Sequence, residues 1–334
     1  MRQQIFNDFQ ELEIFKDSSI FFGVLERSTK KSKFGLCFDN VKRSSQSKEM
    51  KIQYSFFFLA VMTFNFSAQA YIGSISSATG RSGAAAVDAS EAPFTNAAAL
   101  PYLRGYFFSA GWGATQQSQL GSTQDLAVSL IDNMKDTVVP TSLAYSQQTY
   151  NNSVLPVDQH QELRLGFGNI ETKRFSFGLA GLYQTDRLAT ETFHQMNVQM
   201  SGLYALTRNW GFAVIANNML PAGNKVPEAY RQQQSLTLGT SFDYKDLIRM
   251  KFDVSSDSGY AWGHTLLGGG VENYLDKWMI FRIGAQRDNQ VAANIYTAGL
   301  GFAGPKFSLN YAYQNSAEDK SLTRHSVDLA VPLW

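Results

Sequence analysis

Cysteine and histidine are both scarce in this sequence, which has one cysteine and four histidines among 334 residues. The single thiol, Cys37, excludes an internal disulfide framework and a cysteine-based metal site. His160, His194, His264 and His325 lie far apart and form no H-x-x-H or H-x-x-E-H motif. A G-x-S-x-G nucleophile motif is also missing. We therefore predict a protein that is not an enzyme and holds no metal and no cofactor.

Neither sign of charge dominates, since the formal net charge is +1 and 17% of the residues are charged. No basic block is interleaved with aromatic residues, so we predict no nucleic-acid partner. Aromatic residues are nevertheless plentiful, with 25 Phe and 15 Tyr, while the mean hydropathy is slightly negative at -0.21. Many aromatics in a mildly polar chain indicate strands with one apolar and one polar face.

The apolar run at residues 54–66 has 13 residues, fewer than the ~20 that a membrane-spanning helix needs. Met50 and Lys51 supply a short basic start, and Ala68-Gln69-Ala70 supplies a small-residue cleavage site. This order predicts a secretory signal peptide at 50–70. Residues 1–49 leave two explanations open: translation starts at Met50, or the stretch is a long n-region that is removed with the rest. In both cases the mature protein lacks this upstream extension.

From residue 102 onward the dominant period of apolar residues is two, the period of β-strands. For example, Met196, Val198 and Met200 alternate with Asn197 and Gln199. The same alternation recurs at residues 247–255, 279–283 and 305–314. It predicts an all-β fold of about fourteen strands, at 102–115, 125–133, 138–147, 161–170, 173–184, 194–207, 209–219, 233–244, 246–256, 264–274, 277–286, 292–302, 305–314 and 323–334.

The connections between these strands alternate between short and long. Short turns such as 208–209 and 244–246 are followed by polar loops such as 221–232 and 256–262. Outer-membrane barrels place short turns in the periplasm and longer loops outside. We therefore predict a transmembrane antiparallel β-barrel over 102–334, in the outer membrane of a Gram-negative bacterium, surrounded by lipid and lipopolysaccharide.

Aromatic residues near the predicted turn side, at Trp210, Tyr244, Trp278 and Trp334, predict a periplasmic aromatic girdle. The last strand is amphipathic and ends at Trp334. A terminal aromatic of this kind resembles the signal that outer-membrane assembly machinery recognises. We expect that machinery to be a partner of the chain.

The segment 71–101, before the first strand, is rich in Gly, Ala and Ser. Fourteen strands enclose more space than their own side chains fill, so the lumen holds water or chain. Small residues let a backbone pack closely there, and we expect this segment to form a plug. The glycine run at 268–270 lies inside a strand pattern, where it indicates a kink or room for something packed against the wall. The plug candidates are Gly80, Arg81, Gly83, Asp88, Asn96 and Leu100.

Two short motifs in this segment, Gly80-Arg81-Ser82-Gly83 and residues 96–100 (NAAAL), resemble the N-terminal segment of the FadL-type family of outer-membrane transporters for hydrophobic compounds. That family, including its PorV-like relatives, carries G-R-x-G, an acidic residue and N-P-A-x-L; here Ala97 stands in place of the proline. The resemblance implies a fourteen-stranded barrel with a lumenal plug and passive uptake of hydrophobic small molecules. A scaffold barrel that presents partner proteins, as in the PorV-like relatives, and a general porin are the alternatives.

Six basic residues are expected to face the lumen and to bind the plug or a ligand: Arg104, Arg164, Arg174, Arg249, Lys251 and Arg282. They would hold the plug through Asp88 and Glu91, or favour an anionic head group such as a carboxylate. The alternative is that they only solvate the interior and pair with Glu162 and Asp253. An apolar pocket above the plug would favour transport, whereas a solidly packed interior would favour a scaffold.

Pro140 is the candidate for a gap in the wall. In the resembled family a distortion of the third strand lets an apolar ligand leave sideways into the membrane. Pro140 lies near the periplasmic end of the predicted third strand, and proline removes a donor from the hydrogen-bond ladder. The alternative is that Pro140 only marks the first residues of that strand.

The signal-peptide assignment predicts that the mature protein begins at Tyr71, directly after the Ala68-x-Ala70 site. N-terminal sequencing of protein extracted from the outer membrane checks this. A mature N-terminus upstream of Met50 would contradict it.

Overall fold

The structure is a computed structural model that describes residues 71–117, 121–151, 157–188, 191–221, 223, 226, 231–257, 265–289, 293–318 and 321–333. The upstream extension, the signal segment, His264 and Trp334 lie outside the described residues. The predictions made for them stay predictions.

Fourteen antiparallel strands form one closed barrel, in which each strand pairs with its sequence neighbours and the last pairs with the first. This confirms the predicted fold class. The strands are β1 (Gly105–Gln117), β2 (Gly121–Asn133), β3 (Thr141–Asn151), β4 (Val157–Thr172), β5 (Phe175–Leu188), β6 (Thr192–Ala205), β7 (Trp210–Asn217), β8 (Ser235–Tyr244), β9 (Ile248–Asp257), β10 (Thr265–Tyr274), β11 (Met279–Asp288), β12 (Ala293–Ala303), β13 (Ser308–Ser316) and β14 (Thr323–Pro332).

Alternating polarity decides which face of each strand points outward. On β5, Phe177 and Leu179 are 43% and 44% exposed, whereas Ser176 and Ala180 are fully buried. Large apolar side chains therefore form the outer surface, and small or polar side chains form the inner one. Soluble proteins have the opposite arrangement, with apolar side chains inside. A barrel that faces lipid requires the apolar side chains outside.

Closure of the barrel joins β1 to β14, with pairing from Phe107↔Pro332 to Gln116↔Thr323. The backbone N–H of Leu333 adds a bond of 2.7 Å to the carbonyl of Tyr106. The seam removes the open edges that would leave backbone groups unsatisfied in lipid.

Three of the strand pairs extend beyond their predicted ends. β1 and β2 reach Gln117 and Gly121, β3 and β4 reach Asn151 and Val157, and β5 and β6 reach Leu188 and Thr192. These stretches were predicted as loops, because they are polar on both faces. The correction has a physical reason: inward polar side chains in these extensions bond to one another, as Gln148 does to Asp125 at 2.7 Å, so the strands continue although neither face is apolar.

The predicted aromatic girdle is present at the end of the barrel that carries the short turns. Trp210, Tyr244 and Trp278 are 41%, 47% and 38% exposed and lie beside those turns. Tyr and Trp prefer this depth because their rings are apolar and their polar atoms reach water.

The segment before β1 lies inside the barrel, as predicted for a plug. It contains helix α1 (Ser74–Ala78), helix α2 (Ala92–Thr95) and a 3₁₀ helix (Ala97–Tyr102). Helix α1 contacts β11 to β14, and the 3₁₀ helix contacts β2 to β6. Across the described residues no helix has both the length and the apolar character to cross a membrane.

The outward and inward faces predict opposite effects of a charge at adjacent positions on β8. Leu238 is 49% exposed on the outer face, where an arginine near the bilayer midplane costs ~2–4 kcal/mol. Thr237 faces a polar lumen cavity, described below. Leu238→Arg should lower the fraction of folded, heat-modifiable barrel on a gel, whereas Thr237→Arg should preserve it. Equal losses in the two variants would overturn the assigned faces.

Candidate functional site

The plug begins with a hydrogen-bonded attachment to the last strand. Tyr71 is buried and donates from its hydroxyl to Oδ1 of Asp328 at 2.9 Å. Ser74 donates to Oδ2 of the same side chain from its backbone N–H at 2.6 Å and from its hydroxyl at 2.7 Å. Because Asp328 lies on β14, these three bonds fix α1 beside the seam. Neither Tyr71 nor Asp328 was predicted from the sequence as a plug contact.

A second carboxyl group ties two parts of the plug together. Glu91 is buried and accepts the backbone N–H of Ser76 at 2.9 Å and the Ser76 hydroxyl. Burial raises the pKa of Glu91 to about 7, and the negative charge of Asp328 adds to this rise, although the bonds from Ser76 oppose it. Glu91 therefore changes its charge near neutral pH inside the plug.

The turn after α1 lies directly against the barrel wall. Gly80 has φ 66°, a left-handed conformation that suits glycine, and its N–H donates to Oγ1 of Thr297 at 3.1 Å. A Cβ atom on Gly284 would lie 2.5 Å from the Gly80 nitrogen, and one on Gly268 would lie 2.2 Å from its oxygen. The predicted role of the run at 268–270, to make room for something packed against the wall, is confirmed.

The middle of the plug is held by Asp253 on β9. Its Oδ2 accepts the backbone N–H groups of Gly83 and Ala84, both at 2.8 Å. Asn96 donates from Nδ2 to the Ala84 carbonyl at 2.8 Å, and its Oδ1 accepts the N–H of Ala98 at 2.9 Å. Asn96 thus caps the 3₁₀ helix and links it to the middle of the plug, although no proline follows it.

The 3₁₀ helix is bound to the wall on the other side of the lumen. Its Ala98 carbonyl accepts the Ser176 hydroxyl at 2.7 Å, and its Ala98 N–H donates to the Ser201 hydroxyl oxygen at 3.1 Å. Leu100 is completely buried. Arg164 on β4 donates to the carbonyl of Phe94, just before the helix. The plug is therefore attached to opposite sides of the barrel.

Charges on the inner wall neutralise one another. Glu272 accepts from Lys251 at 2.8 Å and from Arg282 at 3.1 Å. Arg249 lies 2.6 Å from Asp243, and Arg164 is bonded to Glu162. Buried charges need such partners, since an isolated one is expensive to desolvate.

Four of the six predicted lumen residues face the interior, and two do not. Arg104 and Arg174 are exposed and lie outside the strands, Arg174 in the turn before β5. The other four are Arg164, Arg249, Lys251 and Arg282, and in the described chain none of the four forms an ion pair with Asp88 or Glu91. The plug is held mainly by neutral donors and by two wall carboxylates instead. The role of the four inward-facing basic residues toward a ligand stays a prediction.

Pro140 lies just before β3 and does not interrupt it. Its carbonyl accepts the backbone N–H of Gly168 at 3.0 Å, which continues the ladder to β4. The pairing of β3 with β2 and with β4 shows no register shift. The described wall is therefore continuous at Pro140, because a strand start needs no donor from this residue.

A cavity of about 110 Å³ lies between the plug and β7 to β11, at the end of the barrel opposite the short turns. Apolar groups such as Ile72, Ile215 and Leu266 line part of it. Most of the lining is polar, and it includes Arg81, Asp253, Asp257, Asp288, Thr237, Ser255 and Asn217. The interior is thus neither solidly packed nor purely apolar.

An apolar exterior, a closed fourteen-stranded wall and a lumenal N-terminal plug define a plugged barrel of the outer-membrane type. No family model and no curated protein sequence matches the chain. Solved structures that it resembles include the toluene transporter TbuX of Ralstonia pickettii, with 14% identity, a TM-score of 0.57 and coverage of 78% of this chain and 97% of that one. The toluene transporter TodX of Pseudomonas putida is also similar, with 14% identity, a TM-score of 0.56 and coverage of 81% of this chain and 100% of that one.

A FadL homologue of Pseudomonas aeruginosa is also similar, with 9% identity, a TM-score of 0.57 and coverage of 81% of this chain and 100% of that one. At these identities the likeness concerns the fold. The chain has the fold of the FadL-type outer-membrane transporters, and the resemblance seen in residues 80–100 is confirmed at that level.

The raised pKa of Glu91 predicts a pH-dependent plug. The carboxyl group of Glu91 has a higher pKa in the folded state than in the unfolded state. Its protonation therefore stabilises the folded state fully at a pH below the unfolded-state pKa. This stabilisation is lost as the pH rises through about 7. The stability of Glu91→Gln relative to the wild type should therefore rise between about pH 5 and about pH 8.5. Thermal unfolding in detergent, followed by heat modifiability, measures this.

The matched control is Glu171→Gln, because Glu171 is exposed at the short-turn end of β4. Its stability relative to the wild type should not change with pH. An equal effect of Glu91→Gln at both pH values would contradict the assignment.

Proposed function

We propose that this protein mediates passive uptake of hydrophobic small molecules across the outer membrane of a Gram-negative bacterium. The observation that carries the proposal is the cavity between a firmly attached plug and the wall. A general porin needs an open water-filled lumen, and here a folded segment crosses it. The names of two proteins with the same fold, both toluene transporters, point to the same class of compound.

A route out of the cavity is suggested by a short strand pairing. β6 pairs with β7 only from Met200↔Ala216 to Ala205↔Gly211, whereas it pairs with β5 from Thr192 onward. The residues of β6 before Met200 therefore extend past the end of β7. This step in the wall replaces Pro140 as the candidate for a lateral exit.

The cavity reaches the wall at this step. Asn217 ends β7 and lines the cavity, and its Oδ1 accepts from Nε2 of Gln199 at 2.6 Å. The next backbone contact, from Met219 N–H to the Val198 carbonyl at 3.0 Å, closes the ladder beyond it. The Leu220 N–H also donates to Oδ1 of Asn197 at 2.9 Å. A short set of hydrogen bonds thus separates the cavity from the lipid side, and their opening would let an apolar molecule leave sideways.

A disulfide across the step tests this route. Gln199 and Asn217 follow the last printed pair, Met200↔Ala216, by one residue on each strand, and their side chains are hydrogen-bonded at 2.6 Å. A disulfide can therefore join these positions, and no native cysteine follows Cys37. In Gln199→Cys with Asn217→Cys, oxidation should slow the initial uptake of labelled toluene by intact cells, and reduction should restore it. The control is Leu203→Cys with Ala213→Cys, a pair inside the existing ladder; its oxidation should leave uptake unchanged.

The outcomes separate the exit from the function. Unchanged uptake in the oxidised Gln199–Asn217 pair, with a barrel that still transports toluene, would exclude the lateral route alone. If cells with the wild-type barrel take up toluene no faster than cells without it, the uptake function is wrong and the scaffold barrel becomes the preferred function.

A further inference from the structure

Basic residues are concentrated at the end of the barrel that carries the short turns. Residues 71–334 contain 19 basic and 21 acidic residues, yet each of the six short turns holds at least one exposed lysine or arginine. With the residue that precedes β1, these form a set that we call the basic rim: Arg104, Lys135, Lys173, Arg174, Arg208, Lys245, Lys277 and Lys306.

Acidic residues at the same end offset only half of this charge. The exposed ones are Asp136, Glu171, Asp246 and Asp276, so the exposed side chains of this end have a net charge of +4. Asp132 and Asp243 are half-buried there, and they bond to Thr137 and to Arg249. The excess is notable because residues 71–334 as a whole have a net charge of -2.

The lysines of the basic rim are not neutralised by the protein itself. In the part of the chain that the structure describes, its five lysines form no ion pair. On the inner wall, by contrast, Lys251 and Arg282 both bond to Glu272. The rim is therefore able to attract an anion from outside the chain.

The basic rim lies at the depth of the aromatic girdle. In every short turn a basic residue lies within two positions of a large apolar side chain that is 36% to 47% exposed. These apolar residues are Met134, Phe175, Trp210, Tyr244, Trp278 and Phe307. The Nζ atom of Lys245 lies 5.2 Å from the centroid of the Tyr244 ring. Such side chains keep their apolar stems against the membrane and their charges in the headgroup region.

The circular arrangement points to a partner that surrounds the barrel. Successive short turns are two strands apart, so basic positions follow one another at roughly 10 Å around the whole wall. A soluble acidic protein would need its cations on one side or across the mouth. A shell of lipids contacts the entire perimeter.

We propose that the basic rim binds the phosphate headgroups of anionic phospholipids. Outer-membrane barrels place their short turns in the periplasm, so these lipids belong to the periplasmic leaflet. Each basic residue close to an anionic lipid surface strengthens the attraction about fivefold. The inference concerns the outside of the wall and does not depend on the proposed uptake function.

Fluorescence quenching by brominated lipids tests this, because bromine quenches only the tryptophans that its lipid contacts. In a Trp112→Phe, Trp262→Phe background, the remaining tryptophans are the three predicted for the girdle, Trp210, Trp278 and Trp334. In bilayers of phosphatidylcholine and phosphatidylglycerol, the reconstituted barrel should bind brominated phosphatidylglycerol about fivefold more tightly than brominated phosphatidylcholine. In ~1 M sodium chloride, where the Debye length is ~3 Å, this preference should disappear.

A triple variant removes one arc of the basic rim. Replacement of Lys245, Lys277 and Lys306 by glutamine should lower the preference for phosphatidylglycerol to about twofold or less, because it removes the cations around Trp278. The matched control replaces Arg187, Arg231 and Arg287, which lie at the opposite end of the barrel, and it should keep the preference of the wild type.

Heat modifiability confirms that each variant is folded, and Lys277→Gln alone carries the test if the triple variant does not fold. Equal binding of the two brominated lipids by the wild-type rim would overturn the proposal. An unchanged preference in the folded rim variant, or an equal loss in the control, would overturn it as well.

Discussion

Backbone polar groups cannot remain unsatisfied in lipid, and the rest of this structure depends on that constraint. It requires a closed wall, which the pairing of β1 with β14 provides. Closure of fourteen strands then creates an interior too wide for the strand side chains to fill. The plug occupies that space, and its own backbone groups need partners there. Asp253 and Asp328 supply several of them.

The outer surface was predictable because each outward residue meets the same environment. Alternation over residues 247–255 therefore placed Met250 on the apolar face, and the structure exposes it on the outer surface. Strand ends were less predictable, since polar stretches such as those near Gln117 and Val157 extend as strands beyond the apolar band. A strand that is polar on both faces has no alternation of apolar and polar residues, so its sequence cannot be distinguished from that of a loop.

The interior was only partly predictable, because its contacts join residues far apart in the chain. Strand phase pointed Arg164 and Arg282 inward, but it did not show that Glu162 and Glu272 neutralise them. Tyr71 and Asp328 are separated by 257 positions. Arg81 was assigned to the plug by its motif, but the motif did not show that Arg81 and Asp288, which attracts its charge, line the same cavity.

The small helices, the Gly80 turn and Asp253 together bring the plug into contact with strands all around the lumen. Its first residues bond to Asp328 on the strand that closes the barrel, and its middle bonds to Asp253 on the opposite part of the sheet. The plug therefore links strands that are far apart around the wall, and it acts as an internal crosslink of the barrel.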